Sequence, residues 1–363
     1  MGIEQYTPEQ LLAAAERKLA SQTGQAEKIN LVCMDDIDEE DIRWLFQPYV
    51  PRGKITLCAA YPGSGKTYIL CYMAACVSNG KSFFNICPFD DKPEKVIYLT
   101  SEDGLGDTIK ARLRICGADM KNVYSVIDKN AELSFDSPKI EEIIKKVKPG
   151  LLIFDPFQSY IGEDVELNAA NKTRAKLNNI VDLAEKYGVA IVLICHFNKN
   201  QKGDAITRII GSTDIVGASR SYLAIGKVPD SDNTKFMSHE KSSLDKRGKT
   251  ILFEINPDEG GIKHLGESDL TMDDYSRQAN ENRRRAAPAV DAAKEFLKDQ
   301  MPEGKRLAKE IKTLAEANKI SERTLDRARK ELGILSQKEG FGGQWLWILP
   351  NQSTSAKEDA HCC

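Results

Sequence analysis

The sequence predicts an α/β fold, a mostly parallel sheet covered by helices on both faces with a small helical module behind it, and three observations predict it. Short, continuous runs rich in β-branched residues alternate with amphipathic helical segments from about Arg52 to Gly217, as parallel strands buried on both faces do. A glycine-rich turn joins the first of these runs to an apolar helix. Near the end of the chain, two helical segments and a basic third one precede a glycine-containing hairpin.

The elements follow in order. KITLCAA is the first long strand and the glycine turn opens a helix. VIYLT is a strand, DTIKARLRICG helical, VYSVI a strand, IEEIIKKV a helix and LLIFD a strand. A long helix from about 169 to 187 leads into the strand VAIVLIC. After Gly217 three closely spaced strands, SRSYLAIG, TKFMSHEK and KTILFEI, read as antiparallel additions to one sheet edge, and the core ends near Gly266. The expected organisation is an acidic helical arm and linker over 1–48, a core over 49–266, a charged connector over 267–285, a compact module over 286–350 and a disordered tail over 351–363.

With 363 residues, 41 % hydrophobic and 29 % charged, the chain has enough apolar surface for two or three domains. Its formal net charge of -3 excludes a wholly basic protein, but the sum hides an asymmetry. Residues 1–48 hold ten acids against four bases, and Arg283 to Lys338 hold fifteen bases against nine acids, so an arm of -6 stands opposite a module of +6. No apolar run approaches the roughly 18 residues of a membrane span, so a cytoplasmic protein without a membrane partner is expected. The nine cysteines form no CxxC pair; Cys58 and Cys195 lie in strand-like runs and read as buried free thiols.

The strongest motif is AAYPGSGKTY, an apolar strand running into a Gly-rich turn and a Lys-Thr pair that opens a helix. That context defines a P-loop. Backbone N–H groups of Gly63, Ser64 and Gly65 can wrap a β-phosphate, Lys66 can reach the β and γ oxygens, and the Thr67 hydroxyl can ligate Mg²⁺ at a helix N-terminus that favours anions. Pro62 and Tyr68 flank these groups, and 62–68 together form the expected ATP-binding stretch. Ala60 stands where a glycine usually opens the motif, so either the turn is reshaped or Ala60 keeps a negative φ.

Three further strands end in polar residues. Asp155 closes LLIFD and fits a Walker B acid holding Mg²⁺. Glu102 follows VIYLT and can polarise a water toward a γ-phosphate; Asp103 competes for that role but precedes Gly104 as a natural helix cap. His196 ends VAIVLIC and reads as a γ-phosphate sensor. The long polar loop after it carries Lys199, Lys202 and Arg208, bases suited to lining a nucleic-acid channel.

In the last module Ser321 is a good N-cap. Leu325, Ala328 and Leu332 form an apolar stripe that leaves Arg323, Arg327 and Lys330 outward. Helix, helix, basic helix and wing make a winged helix-turn-helix domain whose basic helix can enter a major groove of duplex DNA, although winged helices also serve protein contacts.

The blocks WLFQPYVPRGKITLCAAYPGSGKT, SED, LLIFDP, ICHFNK and GSTDIVGASRSYLAI, in that order, resemble the RecA-like, AAA-type ATPases related to the RepA-type hexameric replicative helicases of plasmids and phages. The resemblance covers about residues 42–265, and the C-terminal stretch resembles the winged-helix tail of some of these ATPases. It implies a RecA-like P-loop NTPase core, a ring-shaped homo-oligomer, most simply a hexamer, with ATP bound between subunits, and single-stranded DNA in the central hole. It also implies that Lys66 and Thr67 are the Walker A pair, Glu102 the catalytic base, Asp155 the Walker B acid, His196 the sensor and Arg220 an arginine finger reaching the neighbour's γ-phosphate. Relatives carry a second basic residue on a late strand, where this chain has Lys241 but Ser243. The expected function is ATP-driven translocation and unwinding by a mobile-element helicase, the alternative a DNA-binding ATPase that regulates or loads without unwinding.

Overall fold

The computed structural model describes residues 31–87, 92–127, 133–162, 170–197, 209, 213–231, 233–338 and 343–350. The expected N-terminal helix, the tail over 351–363 and the basic loop residues Lys199, Lys202 and Arg208 lie outside the described residues. The chain divides into two units, Met1–Ile42 and Arg43–Cys363. In the described part of the first, the one helical turn is Met34–Asp36, and Leu31, Val32, Met34 and Ile37 are exposed among acids.

The second unit is built on a nine-stranded sheet. Its strands are β3 (Ile55–Ala60), β4 (Val96–Thr100), β5 (Val123–Tyr124), β6 (Leu151–Asp155), β7 (Ala190–His196), β8 (Ser221–Lys227), β9 (Thr234–Ser242), β10 (Thr250–Asn256) and β11 (Gly261–Ser268), in the spatial order β11-β10-β9-β8-β3-β7-β6-β4-β5. A two-stranded hairpin, β1 (Trp44–Phe46) and β2 (Val50–Pro51), precedes them. β3, β6 and β7 are buried along almost their whole length because helices cover both faces. On one face Leu177, Ile180 and Leu183 of α4 (Ala170–Tyr187) and Ile140 and Ile144 of α3 (Pro138–Val147) pack on Leu57, Leu152 and Leu193. On the other, α1 (Lys66–Asn79) and α2 (Lys110–Ile115) pack on Cys58, Ile153 and Ile194, together with Phe46 from the hairpin.

Two expectations for the late strands are corrected. SYLAIG does not extend an antiparallel edge. It pairs parallel to β3, with Thr56 opposite Ser221 and Ala60 opposite Ile225, and only β9, β10 and β11 run antiparallel beyond it. The short helix α5 (Thr213–Ala218) precedes β8, which starts beside the amino end of β3, where the Arg220 N–H donates to the Ile55 carbonyl. The fourth strand of the group, β11, was not expected; three glycines at 260, 261 and 266 hide it, and its exposure alternates along its outer half.

VYSVI contributes only Val123–Tyr124 to the sheet, and the DTIKARLRICG segment begins as a π-helical turn over Leu105–Ile109 before becoming α2. The connector expected over 267–285 and the first helix of the C-terminal module are one helix, α6 (Met272–Gln300). Thr271 and Asp274 close its start in a reciprocal capping box, and Pro288 is accommodated inside it. Beyond it come β12 (Lys305–Leu307), α7 (Ala308–Ala317), α8 (Glu322–Glu331), β13 (Leu335–Lys338) and β14 (Trp345–Ile348), the three strands forming an antiparallel sheet in the order β12-β14-β13. Leu325 and Ala328 are buried against Val290, Leu297, Ile311 and Trp347 in a separate small core. Trp345 on the same strand is 54 % exposed.

Candidate active site

The phosphate loop leaves β3 at its carboxyl end. Ala60 is the last residue of the strand, fully buried, and is not among the residues with positive φ, so the glycine usual at this place is dispensable here. The left-handed positions are Gly63 at φ 72° and Gly65 at φ 95°. A side chain at Gly65 would also meet Ile255 Cδ1 at 2.4 Å, but that is the movable end of a side chain, so it is the left-handed backbone that demands glycine there. Gly65 is the N-cap of α1 and supplies no side-chain acceptor, which leaves first-turn N–H groups for an anion. One of the three expected amides is already used: the N–H and hydroxyl of Ser64 both donate to the Tyr61 carbonyl, at 3.1 and 2.6 Å. Pro62 is exposed at the tip, and Tyr68 lies in the first turn of α1, beneath the Arg112 guanidinium at 5.2 Å from its ring.

Lys66 is the centre of the arrangement. Its ammonium donates to Asp155 Oδ1 at 2.9 Å, meets His196 Nε2 at 3.3 Å and stands 3.6 Å from Glu102 Oε2. Glu102 Oε2 is in turn 3.6 Å from His196 Nε2. Residues from β6, β7, the segment after β4 and the start of α1 thus converge on one charge. Register explains the convergence: Thr100 lies opposite Asp155 and Ala60 opposite His196, so the strands end flush at one rim. Asp155 is buried and its second oxygen accepts from Tyr98 Oη at 2.9 Å. Burial, then the Asp155 charge, hold the Tyr98 phenol well above its ordinary range, so it stays a donor. Glu102 is half-exposed, and His196 Nδ1 is buried with no partner among the described residues.

Asp103 is not the helix cap expected of it. Gly104 precedes the π-helical turn without any side-chain cap, and Asp103 Oδ2 instead accepts from the Thr67 hydroxyl at 3.4 Å and pairs with Arg112 at 3.2 Å. Sequence reasoning missed Tyr98 and Arg112. Tyr98 reads as an ordinary apolar strand residue; Arg112 lies nine residues beyond Asp103, and only the π-helical turn brings it back.

The observed arrangement fits a nucleotide with a divalent metal: an uncapped helix N-terminus, an ammonium, and a buried carboxylate and hydroxyl at one rim. The residues whose chemistry could hold such a metal are Thr67 and Asp155.

Arg220 lies at the other end of the sheet. Its N–H donates to the Ile55 carbonyl and its own carbonyl accepts from Ser243, so it precedes β8 beside the start of β3. A strand of this length spans roughly 20 Å at about 3.3 Å per residue, which separates Arg220 from the P-loop of its own chain. Its side chain is exposed on a fixed backbone. Lys241 supports that pedestal by donating to the carbonyls of Val216 and Ser219 at 2.5 and 2.7 Å, and burial, then Arg220, lowers its pKa.

On α8, Arg327 bonds Glu331 at 3.2 Å and Lys330 is exposed. Arg323 also points outward, but it is paired with Asp230 of the core at 2.6 Å.

A mostly parallel sheet with a phosphate loop at its carboxyl rim, opposed by a buried acid at the same rim two strands away, defines a P-loop ATPase. The sequence matches the AAA domain family over residues 9–202, more than half the chain, and the protein belongs to that family. It is 28 % identical over 125 residues to the DNA repair protein RadA of Aquifex aeolicus (strain VF5), a stretch that is 34 % of this chain and 24 % of the relative. The chain therefore spans about a quarter of the curated relative it matches. Among solved structures, a KaiC-like protein of Pyrococcus horikoshii OT3 is similar at TM-score 0.44 and 18 % identity, over 61 % of this chain and 94 % of that one. Among the described residues, no helix is long and apolar enough to cross a membrane.

Proposed function

We propose that this ATPase assembles into a ring, most simply a hexamer, and couples ATP hydrolysis to movement along single-stranded DNA as a RepA-like replicative helicase of a mobile element. The observation that carries the proposal is the division of the site between the two ends of the sheet. Lys66, Glu102, Asp155 and His196 gather at one rim, while the exposed Arg220 is held rigidly at the other. An arginine so placed serves a neighbouring subunit. The likeness to RadA, a DNA repair protein, supports a DNA-related role.

Each residue has a defined task. Lys66 neutralises phosphate charge, giving up Asp155 as its partner when nucleotide enters. Thr67 and Asp155 hold the metal, which when bound offsets charge on the phosphate oxygens. Glu102 orients the attacking water and accepts its proton. His196, in contact with both Lys66 and Glu102, senses the γ-phosphate and shortly precedes in sequence Lys199, Lys202 and Arg208, the bases assigned to the DNA channel. Tyr98 fixes the Asp155 carboxylate. The C-terminal module is read as a winged helix-turn-helix that places Arg323, Arg327 and Lys330 on duplex DNA.

Lys66→Ala is expected to lower ATP turnover by about 10² or more and to abolish strand displacement with it. A wild-type ATPase that is robust yet indifferent to single-stranded DNA in turnover and in strand displacement would overturn the helicase reading.

A further inference from the structure

The turn between β8 and β9 reaches across to the C-terminal module. Asp230 stands on it at φ 59°, a left-handed conformation that aspartate tolerates better than most residues. Asn282 of α6 donates to one of its oxygens and Arg323 of α8 to the other at 2.6 Å. These residues border a cleft of about 700 Å³ whose walls include Pro229, Asp230, Arg285, Arg323 and Arg327. Three guanidinium groups thus share one cleft, and the acid within it is supplied by the ATPase core.

As a structural link this pair is weak. Arg323 is 71 % exposed and Asp230 50 %, and exposed ion pairs contribute little to stability. The geometry suits another ligand better. A guanidinium group can hold phosphate through two parallel N–H donors, whereas Arg323 reaches Asp230 through Nη2 alone, and Arg285 and Arg327, the latter also bonded to Glu331, line the same space.

We propose that this cleft binds the phosphate backbone of duplex DNA and that Asp230 occupies the place of a phosphate in the free protein. The proposal rests on reading the C-terminal module as a DNA-binding domain and adds the regulation of that surface by the ATPase core. Binding then displaces Asp230 and frees the β8–β9 turn. That turn continues from Gly226 and Lys227, which line a second cavity of about 330 Å³ together with Tyr61, Pro62 and Ser64 of the phosphate loop. Helix α6 borders both cavities, through Tyr275 and Asn280 at one and Asn282 and Arg285 at the other. DNA at the module is thereby linked to the nucleotide site.

The test uses the full-length chain, a fluorescent duplex of arbitrary sequence and anisotropy at several salt concentrations. Asp230→Asn removes the competing charge while keeping a hydrogen-bond acceptor for Asn282. It is expected to tighten binding about two- to fivefold and to steepen the salt dependence by roughly one phosphate contact. Arg323→Gln weakens binding, and in the double variant the gain from Asp230→Asn disappears. If Arg323→Gln weakens binding but Asp230→Asn does not tighten it, Asp230 does not compete and the proposal fails while the DNA-binding reading survives. If neither Arg323→Gln nor Arg327→Gln alters binding, the module does not hold duplex DNA here and both fail together.

Discussion

Glu102 and Asp103 are adjacent acids whose surroundings assign them different work. Glu102 Oε2 stands 3.6 Å from both Lys66 and His196, open to solvent. Asp103 is committed to Thr67 and Arg112. Glu102→Gln should therefore lower turnover by about 10² to 10⁴, the range for loss of a general base, while leaving nucleotide binding near wild type. Asp103→Asn, acting through Thr67, should weaken metal-dependent nucleotide binding more than the hydrolytic step. Single-turnover hydrolysis beside equilibrium binding of a fluorescent ATP analogue separates the two; a base role for Asp103 would reverse the pattern. At this scale the sequence was most legible where chemistry is tied to position. Asp155 and His196 each end an apolar run, Glu102 follows another and Lys66 opens the helix after the first, so their convergence followed from strands ending at a common rim. Tyr98 was not legible because a phenol inside VIYLT looks like core, and its bond to Asp155 exists only through the β4–β6 register.

Elements are joined by a buried relay on the far side of the sheet. Gly248 N–H donates to His239 Nδ1, which places the imidazole proton on Nε2, 3.1 Å from Ser221 Oγ, and that hydroxyl donates to the Tyr49 carbonyl. The chain ties β9, β8 and the β1–β2 turn together. Burial, the largest cause, lowers the His239 pKa to about 4 from its ordinary 6.5. The native state therefore favours neutral histidine. Its contribution is complete above pH 6.5 and is lost as pH falls from there through about 4, a difference on the order of 3 kcal/mol. Denaturant unfolding at pH 7.5 and 5 should show the wild type losing more stability than His239→Gln; equal losses would rule the relay out. The same elements show where pattern reading stops. β3, β6 and β7 announce themselves as continuous apolar runs, but the parallel placement of β8 rests on its pairing with β3, which no local pattern in SYLAIG reveals. β11 is too rich in glycine to carry a strand pattern, and the continuity of α6 is masked by Pro288 and a run of arginines.

For the whole molecule, the net charge of -3 is the sum of unlike parts, and one of its basic surfaces is partly neutralised from within by Asp230. That pairing joins residues 93 positions apart in sequence, which is why the outward face expected of Arg323 gave no sign of it. The proposed function requires a larger arrangement, in which Arg220 of a neighbouring subunit completes the site at one rim of the sheet. Arg220→Ala should lower turnover by about 10³ to 10⁵, as loss of an arginine finger does, and Glu102→Ala should be inactive for a different reason. The direct measurement is ATP turnover by mixtures of these two inactive variants. A subunit carrying Arg220→Ala still presents an intact Lys66–Glu102 rim, and its Glu102→Ala neighbour still presents an intact finger, so mixed assemblies should regain turnover that peaks near equal proportions. No recovery at any ratio, in assemblies shown to contain both chains, would contradict a site shared between subunits.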